Sequence, residues 1–151
     1  MSVAGVMMLV GGAVAQVCLG RVMASPWLVP DLLLVCMFLI LVDMPRNRPL
    51  GVGVLAGLLV MVVTTRQPLV VGLAYGGIVV VVRSLAVVVD LTDSRIHLAV
   101  VAILETGLLA LGLALGGRLS AALLVLAGVK LLITVASVPL LRPFVNSVPG
   151  R

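Results

Sequence analysis

Six apolar stretches separated by short polar breaks take up most of the chain, over 3–20, 27–42, 50–65, 69–82, 97–116 and 119–141, the fourth continuing toward 89. Positions 32–42 and 78–82 are apolar without interruption. A barrel strand facing lipid on one side would alternate apolar and polar residues, so these runs predict helices. A helix needs about 20 apolar residues to cross a bilayer, with a range of roughly 17–25. The third stretch is shorter: its sixteen or so residues, at about 1.5 Å each, reach about 24 Å into a core about 30 Å thick. The pattern therefore predicts an all-α bundle of six transmembrane helices, or five if the third stretch is re-entrant.

Turn chemistry falls between the stretches. Ser25-Pro26 and Pro30-Asp31 open the second helix. Proline fits a first helical turn, and an acid there complements the positive helix end. Two prolines four apart cannot share that position, which predicts a kink or a late helix start. Asp43 to Pro49 is a polar loop, and Thr65-Arg66-Gln67-Pro68 a tight one. Thr92-Asp93-Ser94 supplies caps for the fifth helix, and Gly116-Gly117-Arg118 closes a hairpin onto the sixth.

Composition strengthens this picture. Of 151 residues, 63% are hydrophobic and 10% charged, and the mean hydropathy is +1.40. A soluble domain carries roughly 25% charged residues, and a chain this short has too little interior for so much apolar surface. The net charge of +5 is spread singly between apolar runs, and aromatics make up 3%, which excludes a nucleic-acid platform. Six spans would place Arg46, Arg48, Arg83, Arg95, Arg142 and Arg151 on the side of the termini, and Arg21, Arg66 and Arg118 on the other. That bias predicts cytoplasmic termini. Trp27 is expected to anchor at an interface. No Lys or Arg precedes the first run, whose length exceeds a signal core, so it is expected to remain as a span rather than be cleaved. The chain reads as one integral membrane domain, 1–151, without a soluble part.

A few polar residues interrupt the apolar runs. Glu105 lies about twelve residues before Gly117 and Lys130 about thirteen after it, which puts both at similar depth in an antiparallel hairpin. An unpaired charge at mid-bilayer costs about 2.5–3.5 kcal/mol, so the two are expected to pair, fixing helix rotation or framing a substrate or ion site. Lys130, Thr134 and Ser137 form a polar stripe expected to face protein. Gln16 is expected to bond another helix. Cys18 and Cys36 read as small core hydrophobes, and His97 as interfacial. Gly53-x-x-x-Gly57, Gly72-x-x-x-Gly76 and Gly112-x-x-x-Gly116 permit close helix approach. Most are expected to serve internal packing, though one could receive a partner's helix. No nucleophile elbow, phosphate loop, zinc spacing or carboxylate dyad is present in the sequence. The chain is therefore expected not to be an enzyme and to hold no cofactor or metal.

The order Pro30-Asp31-Leu32-Leu33-Leu34, then Gly57-Leu58-Leu59, then Thr64-Thr65-x-x-Pro68-Leu69 leading to Gly72, resembles the rod shape-determining MreD family across roughly 25–85. Two departures stand out. The acid that often follows Gly-Leu-Leu is absent from Val60, Met61 and Val62, and Val70 replaces the glycine after Pro-Leu. The resemblance implies a fold similar to the substrate-binding subunits of energy-coupling-factor transporters. It also implies a multi-pass protein of the bacterial inner membrane that acts as a scaffold of the cell-wall elongation machinery. Its expected partners are an MreC-like single-span protein and other elongation proteins of peptidoglycan synthesis, with self-association open. Pro30, Asp31, Gly53, Gly57, Gly72 and Gly76 are then candidate partner contacts. The alternative is a small transporter or its binding subunit, with Glu105, Lys130, Thr134 and Gln16 lining a cavity.

Overall fold

A computed structural model of the chain describes residues 3–23, 25, 28–43, 49–64, 67–89, 93–116 and 120–146. The expectations resting on Trp27, Arg46, Arg48, Arg66, Arg118 and Arg151 lie outside these residues. Six helices follow in order: α1 (Val3–Val22), α2 (Leu32–Asp43), α3 (Pro49–Val63), α4 (Pro68–Val88), α5 (Ser94–Gly116) and α6 (Ala121–Asn146). By length and composition α1, α4, α5 and α6 can cross a membrane, whereas α2 and α3 are shorter apolar helices.

The second apolar stretch becomes helical only at Leu32, five residues later than its hydropathy alone would place the start. Pro30 has no N–H to give, and its ring biases the preceding residue away from helical angles. The chain before it instead makes a turn in which the Leu28 N–H donates to the Ser25 carbonyl at 3.0 Å. At about 1.5 Å per residue, the 12 residues of α2 reach about 18 Å. The cap of α5 follows the sequence, and that of α6 falls at Ser120, inside the stretch read as helix. Asp93 Oδ1 accepts from the Arg95 N–H at 2.8 Å at the start of α5, and Ser120 Oγ accepts from the Leu123 N–H at 3.2 Å at the start of α6. The α3–α4 turn places Gln67 at a left-handed φ of 47° just ahead of Pro68. Helix α6 runs on through Pro139 and Pro143, past the expected end at 141.

Helix α2 is the centre of the bundle. Leu33 to Leu41 are all buried, and the helix packs against α1, α3, α4, α5 and α6. A helix that is apolar all round is one buried all round. The outer helices hide one side only. Met7, Val62, Leu73, Val88, Ile103, Leu132 and Phe144 are largely exposed. Apolar exposure on this scale is rare on soluble monomers and is natural where lipid is the solvent.

Helices α3 and α4 form the most extensive pair. A Cβ on Gly57 would come within 2.9 Å of the Gly72 carbonyl oxygen, and one on Gly53 within 2.6 Å of Val79. Only glycine at these positions permits that approach. His97, expected at an interface, is buried and sets its ring edge-on to Phe38, with centroids 5.5 Å apart and planes at 83°. Cys36 is buried as expected, but Cys18 is exposed on α1.

Candidate functional site

The start of α2 lies inside the protein, so its four leading N–H groups have no water to bond. Non-helical backbone at membrane depth is tolerated only when protein satisfies it. Here each donor has a partner. The Asp31 N–H donates to Thr134 Oγ1 at 3.0 Å, and the Leu32 N–H to the Pro30 carbonyl at 3.0 Å. The Leu33 N–H donates to Gln16 Oε1 at 3.1 Å, and the Leu34 N–H to Asp31 Oδ1 at 3.1 Å. Asp31 is thus an N-cap, its side chain bonding the third helical residue. Its second oxygen accepts from the Tyr75 hydroxyl at 2.5 Å. Helices α1, α4 and α6 each send one side chain to close this end. Ser137 donates to the Thr134 carbonyl at 2.6 Å, which bonds the polar stripe of α6 to its own backbone.

Glu105 is built differently. It sits in mid-α5 with 1% of its surface exposed, and neither carboxylate oxygen accepts a hydrogen bond. Lys130 Nζ approaches Oε1 at 3.8 Å, with 20% of its side chain exposed. That is an ion pair but too long for a hydrogen bond. A buried acceptor left without donors costs roughly 1–3 kcal/mol, and a charged one more. Both acids line one cavity of about 210 Å³, together with Gln16, Tyr75, Lys130 and Thr64. Its remaining walls are apolar side chains of α3, α4 and α5.

The structure gathers Gln16, Asp31, Glu105, Lys130 and Thr134 around the head of α2, with Pro30 beside them. It separates the glycines. Gly53, Gly57 and Gly72 are used up in the α3–α4 contact, whereas a Cβ on Gly76 would meet nothing within 4 Å. Sequence reasoning passed over Tyr75. It is the chain's single tyrosine and lies in an apolar run, where a hydroxyl needs a partner. That partner, Asp31, is 44 positions away and is set by the fold.

These features define an all-helical bundle with the apolar exterior of a membrane protein and an interior polar cluster at the head of its shortest helix. No protein-family model, curated protein or solved structure matches the chain.

Proposed function

We propose that the protein is a non-catalytic membrane scaffold of the MreD type, acting in the rod-shape and cell-wall elongation machinery of a bacterial inner membrane. In this reading all six helices cross or enter the bilayer, both termini are cytoplasmic, and an MreC-like single-span protein docks against the bundle. The observation that carries the reading is the place of Pro30-Asp31-Leu32-Leu33-Leu34, one of the segments of the resemblance. It forms the capped head of the buried central helix, so the motif specifies the fold of the bundle. The outer side of α4 supplies a surface. Gly76 and Gly77 have open space over them, and Leu73 and Val80 beside them are exposed. Small residues let a second helix approach closely.

Co-purification in mild detergent with the MreC-like protein of the same organism tests this. A stoichiometric complex that survives gel filtration is expected, weakened by Gly76→Leu with Gly77→Leu. An intact bundle that elutes without the partner contradicts the scaffold reading.

A further inference from the structure

We infer that the cavity between the head of α2 and helices α3 to α6 binds a small primary alkylamine in its protonated form, recognised by Glu105. The inference goes beyond the scaffold reading and is tested on this chain alone, so either can fail without the other.

The first argument is donor accounting. An ionised carboxylate has about four acceptor positions, and those of Glu105 accept nothing. The nearest strong donor, Lys130, stops at 3.8 Å. The Tyr75 hydroxyl is already committed to Asp31. Buried polar groups in folded proteins are bonded in the large majority of cases. A buried carboxylate that lines a cavity and accepts no hydrogen bond is therefore a group that awaits a donor.

Charge selects the class of donor. Two carboxylates, Asp31 and Glu105, face this cavity against one ammonium, Lys130. With Glu105 ionised, the described lining carries a formal excess of one negative charge (two minus one), which favours a cation. Asp31 contributes its field only, since one oxygen caps Leu34 and the other accepts from Tyr75. Glu105 contributes the directional bonds. A primary ammonium brings three N–H donors on a compact charge. A quaternary ammonium or an alkali cation brings none.

Shape sets the remainder of the molecule. A cavity of about 150 Å³ is enough for benzene, and this one is about 210 Å³. Val60, Val71 and Leu108 give it an apolar wall, against which a short alkyl chain buries its surface. The ammonium head then sits at Glu105, beside Lys130.

Thermal unfolding of the purified chain in mild detergent tests this, with n-butylammonium chloride as probe. Sodium chloride and tetramethylammonium chloride at equal ionic strength are the controls. The expected result is a rise of a few degrees in melting temperature that saturates with n-butylammonium, as binding to the folded state alone requires, and no rise with either control. Glu105→Gln should abolish the rise. Lys130→Ala, which removes the competing ammonium, should enlarge it. The inference is overturned by no rise with n-butylammonium, by an equal rise with sodium or tetramethylammonium, or by a rise that survives Glu105→Gln. If Glu105→Gln does not fold, Lys130→Ala still decides: a response no larger than that of the unaltered chain overturns the inference.

Discussion

Asp31 and Glu105 line the same cavity and are both buried, yet their surroundings are opposite. Each carboxylate oxygen of Asp31 meets a donor, one from the Leu34 backbone and one from Tyr75. Glu105 meets none and has only a long ion pair to Lys130. Burial of an acid in an apolar bundle is therefore not in itself a sign of function. The count of donors around it distinguishes the two. Asp31 holds backbone that has no other partner, and the fold needs it. Glu105 remains available to something outside the chain.

The comparison is broken most strongly at Asp31. Asp31→Ala removes a helix cap, worth typically about 1 kcal/mol, and orphans the Tyr75 hydroxyl at roughly 1–3 kcal/mol more. We expect a loss of about 2–4 kcal/mol in reversible denaturant unfolding in detergent. A loss below about 1 kcal/mol would mean that water or a rearranged side chain replaces the cap.

A smaller effect is expected where backbone meets backbone. Gly57→Ala places a methyl 2.9 Å from the Gly72 carbonyl oxygen, and overpacking of this kind costs about 1–3 kcal/mol. Gly76→Ala meets open space and should be neutral or slightly stabilising, since alanine is the better helix former by up to about 1 kcal/mol. Equal losses at the two positions in the same unfolding assay would show that the α3–α4 approach does not depend on Gly57.

Much of the bundle is legible in the sequence, because hydropathy and turn chemistry act locally. The six apolar runs became six helices, and Asp93 caps where the pattern breaks. Pro30-Asp31 announces a helix start in the same way. The near-equal distances of Glu105 and Lys130 from Gly117 also carry over, since a hairpin converts sequence spacing into depth. What did not show was which surroundings are protein and which are lipid. Helix α2 is apolar at every position whether it faces lipid or neighbours, so hydropathy is silent on its central place. The three glycine pairs look alike in sequence, yet Gly53, Gly57 and Gly72 have close neighbours and Gly76, Gly112 and Gly116 do not. Gln16 and Thr134 show as polar positions that need partners. Their joint task of closing the head of α2 links residues up to 103 positions apart, which no local pattern encodes.

The most direct test of the division between a structural acid and an available one is the unfolding free energy of Glu105→Gln, measured beside that of Asp31→Ala. Glutamine keeps the shape of Glu105 and removes a buried charge that accepts no hydrogen bond, while Lys130 keeps its partial exposure. The account predicts no loss or a gain, since a buried charge that accepts no hydrogen bond is costly to desolvate and the amide carries none. A loss as large as that of Asp31→Ala would show that Glu105 holds the fold together, and the two acids would then be alike.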